Sequence, residues 1–95
     1  MKKFMFLSYG FVKPTPEIMA AWGKWFESIA DKMVEGGNFP RGREISKSGT
    51  KELPLGMESI TGYCIFKAES LDAAEKIARD CPYIASNRVY EIMTK

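Results

Sequence analysis

Apolar positions in this chain fall into two kinds of pattern. Phe4-Met5-Phe6-Leu7 and Tyr63-Cys64-Ile65-Phe66 are unbroken, whereas Ile18, Trp22, Trp25 or Phe26, Ile29 and Met33 recur at three- and four-residue spacing. The first kind reads as strand and the second as one face of a helix. Lys3 to Tyr9 holds aromatics, no breaker, and Gly10 just beyond, which predicts a first strand. Pro14-Thr15-Pro16 then sets a helix start, with Thr15 as N-cap, Pro16 at the first helical position and Glu17 in the first turn. The spacing carries this helix to Gly36-Gly37, a span of about 19 residues or roughly 28 Å.

Arg43 to Lys47 is a weaker strand candidate, followed by a turn at Ser48-Gly49. Gly49 to Met57, with Pro54 and two glycines, reads as a loop. Ser59 to Ala68 predicts a strong strand through Ile60, Thr61, Tyr63, Cys64, Ile65 and Phe66. Ser70 caps a second helix with Asp72 in its first turn. Leu71, Ala74, Ile77, Ala78 and Cys81 form its apolar stripe, and Pro82 ends it. Arg88 to Met93 closes the series as a strand. The order strand, helix, strand, strand, helix, strand predicts one α+β domain of the ferredoxin-like βαββαβ type. Its antiparallel sheet carries both helices on one face. Right-handed crossovers then place the first and third strands in the centre, with the fourth beside the first.

A sheet covered on one face only should alternate apolar with polar residues. Here the two central strands are apolar on both faces. A bare patch of several hundred Å² is unusual on a monomer. The expected cover is a second copy packed sheet to sheet in a homodimer, with a nucleic-acid or protein partner as the alternative.

Composition then narrows the chemistry. The 95 residues contain no histidine, which removes imidazole bases, histidine–metal sites and cysteine–histidine pairs. Net charge is +2, from 14 basic and 12 acidic residues, giving little pull on a polyanion. Cys64 lies inside an apolar run and Cys81 precedes Pro82, a spacing of buried thiols rather than of a metal or redox pair. At a helix C-terminus the dipole disfavours a Cys81 thiolate. No apolar run approaches the roughly 20 residues of a membrane span. The basic start followed by only Phe4 to Leu7 is too short for a signal peptide, so a cytoplasmic location is expected. No metal and no cofactor are expected.

Several stretches stand out in order along the chain: Trp22, Trp25-Phe26 and Gly36-Gly37; Gly62-Tyr63; Ala68-Glu69-Ser70-Leu71-Asp72-Ala73-Ala74; Cys81-Pro82; and Val89-Tyr90-Glu91-Ile92. Together they resemble the YCII-related proteins, including their DGPF-type branch. The resemblance covers most of residues 1–95 and implies a dimeric α/β barrel, in which two ferredoxin-like sheets face each other. Two departures bear on chemistry. The Asp-Gly-Pro-Phe motif is absent, its region reading Gly49-Thr50-Lys51-Glu52-Leu53-Pro54. The resemblance also implies a His-Asp acid–base pair for the YCII branch, which a chain without histidine cannot supply.

The expected topology gathers one corner of the sheet. The end of the first strand, Ser8-Tyr9, meets the start of the third (Glu58, Thr61, Tyr63) and of the fourth (Asn87, Arg88), and the Gly49–Met57 loop returns there as a lid candidate. Ser8, Tyr9, Glu58, Thr61, Tyr63 and Arg88 are therefore the ligand-pocket candidates. Arg88 suits a substrate carboxylate, Glu58 a base if desolvated, and Tyr9 or Tyr63 a donor to an enolate-like oxygen. The competing reading makes Arg88 and Glu58 a solvated ion pair and the tyrosines barrel filler. Trp22, Trp25 and Phe26 at helical spacing read as core or dimer packing rather than an aromatic cage. Arg41-Gly42-Arg43 lacks the following helix that a phosphate loop needs.

Three functions are open at this point. The first is a binder or enzyme for a small acidic or phenolic molecule. The second is a non-catalytic dimerising accessory or regulatory domain. The third is an RRM-like RNA-binding module, disfavoured because Thr61-Gly62-Tyr63-Cys64-Ile65 lacks the basic lead and second aromatic of the RNA-stacking strand. The expected partners are a homodimer mate and a small ligand, not nucleic acid or membrane.

Overall fold

A computed structural model describes residues 1–93. Its elements run β1 (Lys2–Tyr9), α1 (Pro16–Ser28), β2 (Met33–Asn38), β3 (Gly42–Ser46), β4 (Gly49–Leu53), β5 (Ile60–Ala68), α2 (Leu71–Arg79) and β6 (Ser86–Ile92). Four strands form an antiparallel sheet in the order β2-β5-β1-β6, and β3 with β4 makes a separate hairpin. The first strand and the long strand before α2 are central, and the last strand lies beside the first, as the crossover rule requires. The architecture is the ferredoxin-like α+β fold, with a hairpin inserted between its second and third sheet strands.

Alternation along the central strands sorts side chains between two faces. Phe4 and Phe6 of β1 and Cys64 and Phe66 of β5 point to the helix side and are buried with Trp25, Ile29, Ala74, Ala78 and Cys81. Trp25 stacks on Phe6 with ring centroids 5.2 Å apart, and Trp22 meets both rings edge-on. Trp25 is therefore core, and Trp22 and Phe26 pack against it half-buried. The Trp25 indole N–H donates to the Ile77 carbonyl at 3.0 Å, tying the two helices together.

Both helix starts follow the sequence. The Thr15 hydroxyl accepts from the Ile18 N–H at 3.2 Å with Pro16 in the first turn, and the Ser70 hydroxyl accepts from Ala73 at 3.1 Å. The stripe of α2 is buried at Ala74 and Ala78, but Leu71 is exposed.

The middle of the chain departs from expectation in two ways. α1 ends at Ser28 rather than at Gly36-Gly37. Ile29 and Met33 do both meet the core, but as parts of a turn and of β2, which is why helical spacing ran past the real end. Gly36 and Gly37 lie inside β2, where a Cβ at 37 would run into the Tyr63 ring and one at 36 would meet only the flexible end of Met33. The second strand of the sheet is consequently Met33–Asn38 and not Arg43–Lys47. The latter stretch does become a strand, but it pairs with Gly49–Leu53, which the glycines and Pro54 had marked as loop. A two-residue turn at Lys47-Ser48 closes this hairpin, and Gly49 holds the positive φ of 130° that favours glycine there.

Candidate functional site

The register fixes what faces away from the helices. Met5 lies between Ile65 and Tyr90, and Leu7 between Tyr63 and Arg88. With Tyr9, these residues make an open sheet face with apolar floor and phenol or guanidinium margins. Met5, Leu7, Tyr63 and Ile65 are only half-buried there. The long strands are thus apolar on both faces, as the unbroken runs imply.

At one end of this face the chain closes a groove of about 890 Å³. Its floor is Leu7, Phe39, Leu53, Leu55, Met57 and Ile60, and its polar margin is Tyr9, Arg41, Arg43, Lys51, Glu52 and Glu58. Apolar bulk with a few converging polar groups is the usual chemistry of a small-ligand site. The hairpin overhangs it and is stiffened by two cross-strand pairs, Arg43 with Glu52 at 2.7 Å and Lys51 with Glu44 at 3.8 Å. Arg41 has no ion-pair partner among the described residues. Its guanidinium is the cation left for an acidic ligand.

The candidate residues divide on inspection. Tyr9 and Glu58 line the groove. Arg88 stands over the Tyr9 ring, 4.9 Å from its centroid, so it holds that phenol from the sheet side. A hydrogen bond that Arg88 donates to the Tyr90 oxygen, and then the neighbouring Tyr9 phenol, raise the Arg88 pKa above its ordinary value. Tyr63 lies across Leu7 from Arg88, on the open face beside the groove. Ser8 faces the other way: it is buried on the helix side, because it alternates with Leu7 and Tyr9. Thr61 spends its hydroxyl on the Ser8 and Gly10 carbonyls at 3.3 and 3.1 Å, stitching the bulge between Ser8 and Tyr9. Glu58 is exposed, not desolvated, and makes no ion pair with Arg88 among the described residues.

The expected lid is tied down at its second half. Gly56 exchanges hydrogen bonds with the Ser59 hydroxyl at 2.9 and 2.7 Å, and Gly10 and Phe11 donate to the Ser59 and Gly56 carbonyls. Its first half is β4. Sequence reasoning missed Phe39 and Arg41 as groove residues. The Arg41-Gly42-Arg43 run was the available signal, but it was weighed only as a phosphate loop.

Glu35 was also missed. Its carboxylate accepts the Tyr63 hydroxyl at 2.5 Å, while Phe39 stacks on the same ring at 5.2 Å. The hydrogen bond to Glu35, and then desolvation and the carboxylate charge, push the Tyr63 phenol above its ordinary pKa. Its one O–H is spent on Glu35, so toward a third group Tyr63 presents an acceptor oxygen.

Both cysteines are buried, free thiols. Burial pushes both thiols up to about 11; the Asn87 side-chain N–H, 2.7 Å from the Cys81 sulfur, only partly opposes this. Among the described residues no three histidine, cysteine, aspartate or glutamate side chains cluster as metal ligands, and no helix is long and apolar enough to cross a membrane.

Comparison with known proteins gives a family and a fold. Residues 6–94 match the YCII-related domain, and the chain belongs to that family. No curated protein matches it in sequence. Among solved structures it is similar to the 5-chloro-2-hydroxyhydroquinone dehydrochlorinase of Burkholderia phenoliruptrix AC1100 in complex with 2,5-dihydroxybenzoquinone. The TM-score is 0.62 at 18% identity, covering 98% of this chain and 95% of the other. It is also similar to the 30S ribosomal protein S6 of Thermotoga maritima, with TM-score 0.50 at 13% identity, covering 96% and 87%. At these identities the two likenesses bear on the fold alone.

Proposed function

We propose that this YCII-related protein binds, and in its catalytic form transforms, a small acidic or phenolic molecule in the groove between sheet and hairpin. The observation that carries the reading is the pairing of an apolar floor with the unpartnered Arg41 guanidinium and the Tyr9 phenol on one rim. An aromatic ring suits the floor, and a carboxylate or phenolate suits Arg41. A neighbour in fold that holds 2,5-dihydroxybenzoquinone supports the same ligand class. The working unit in this reading is a cytoplasmic homodimer joined through the open sheet face. It uses neither metal nor nucleotide cofactor, and neither nucleic acid nor membrane is a partner.

With no histidine and no buried carboxylate in the groove, acid–base work falls to Tyr9, to Tyr63 with Glu35, or to Glu58. The exposure of Glu58 favours a second reading, a dimerising accessory domain without chemistry.

A thermal-shift screen against 2,5-dihydroxybenzoquinone, phenols, small organic acids and lactones tests the choice. Ligand at a hundred times its dissociation constant adds about 2.7 kcal/mol. That is a rise on the order of 10 °C for a domain this small. The rise is expected to vanish in Arg41→Ala and to shrink in Arg88→Ala. No rise across the set, in protein shown to be dimeric by light scattering, selects the accessory domain.

A further inference from the structure

The single chain has the shape of half an object. It measures 40 × 40 × 18 Å, about the thickness of one sheet and one helix layer. Its radius of gyration is 14.3 Å, where a compact domain of this length has roughly 12.4 Å. It exposes 7065 Å², against about 5,500 Å² for a folded monomer of its mass. The surplus of about 1,500 Å² per chain would bury roughly 3,000 Å² in a pair, within the range of obligate homodimers.

Two surfaces stand open to such a mate. One is the sheet face away from the helices. The other is the β3–β4 hairpin, exposed at every position but the half-buried Gly42. An isolated two-stranded hairpin is marginal in water. This one nevertheless carries Ile45 with 83% of its surface exposed, opposite Thr50 and beside the Arg43–Glu52 and Glu44–Lys51 pairs. Those exposed pairs lie across the hairpin but give it no core.

We infer that the hairpin is a docking arm for a second copy of this chain, which gives Ile45 the apolar burial its own subunit withholds. The inference rests on the homodimer of the proposed function and adds the element that embraces the mate. Hairpin and open face both border the groove, so a second copy seated between them supplies the groove's missing wall. The ligand site is then shared between subunits, and a separated chain holds only part of it.

Sedimentation velocity over a dilution series, on the full chain and on Ile45→Lys and Ile45→Val variants, tests the arm. Ile45 is exposed in its own subunit, so the circular dichroism of each variant should match wild type. Each dimer contains the changed residue twice, and Ile45→Lys is expected to raise the dimer dissociation constant by at least about a hundredfold. Ile45→Val should stay within about tenfold of wild type. A wild-type dimer that Ile45→Lys leaves unchanged overturns the arm and leaves the dimer standing. A wild-type chain that sediments as a monomer at every concentration overturns both.

Discussion

The Tyr63 ring lies across the backbone of Gly37, so close that a Cβ at position 37 would stand 2.7 Å from Tyr63 Cε1. The two residues are register partners on β2 and β5. The glycine lets the ring fold over the edge strand, where Phe39 stacks on it and Glu35 accepts its hydroxyl. Gly37→Ala should therefore displace the ring and destabilise the fold by about 1–2 kcal/mol in urea denaturation. A double-mutant cycle identifies the cause: Tyr63→Ala should cost less in the Gly37→Ala background than in wild type. Strictly additive effects would mean that the ring and the glycine do not depend on each other.

The same ring reports on Glu35. Its phenol is raised first by the hydrogen bond to that carboxylate. In a carbon-13 tyrosine titration, Tyr63 should ionise at a higher pH than in the Glu35→Gln variant, where the acceptor is weaker and uncharged. An unchanged Tyr63 titration in Glu35→Gln would show that the pair is not formed in solution.

Alkaline pH should weaken the fold through its cysteines. Cys64 and Cys81 are raised from an ordinary value of 9.0 to about 11 in the folded chain. Between those values the unfolded thiols have lost their protons and the folded ones have not. The folded state then binds more protons, and unfolding free energy falls as pH rises. The fall sets in near pH 9 and is complete near 11, and both thiols contribute to it. Urea midpoints measured across this window should drop more steeply in wild type than in a Cys64→Ala, Cys81→Ala double variant. That comparison removes the background from lysines and tyrosines.

Trp25 does two jobs, filling the core and donating to the Ile77 carbonyl from one helix to the other. Trp25→Phe keeps most of the apolar bulk but leaves that carbonyl without its donor. A cost of roughly 2–3 kcal/mol is expected in denaturant. A loss below about 0.5 kcal/mol would place water or another donor at Ile77 in the variant.

The parts of the fold legible in the sequence were those with one strong local signal. Thr15-Pro16 and Ser70 mark helix starts because their side chains cap the first turn, whatever lies further away. Phe4–Leu7 and Tyr63–Phe66 declare two-faced strands because alternation is missing. The hidden parts depend on tertiary contacts. Gly36-Gly37 look like a helix stop until the Tyr63 ring is seen above them, and Ile29 and Met33 keep helical spacing while belonging to a turn and a strand. The site divides in the same way. The placement of Tyr9, Arg88 and Tyr63 on the open face followed from strand pairing. Ser8 fails because parity turns it inward, and Arg41 with Phe39 reaches the groove only because β2 and the hairpin lie where the sequence suggested helix and loop.

The measurement that bears most directly on the proposed function is a nitrogen-15 amide titration of the protein with 2,5-dihydroxybenzoquinone. Saturable shifts should cluster at Leu7, Tyr9, Arg41 and Ile60 around the groove, and should disappear in Arg41→Ala. No shifts into the low-millimolar range, or shifts confined to the outer faces of α1 and α2, would contradict a ligand site in the groove.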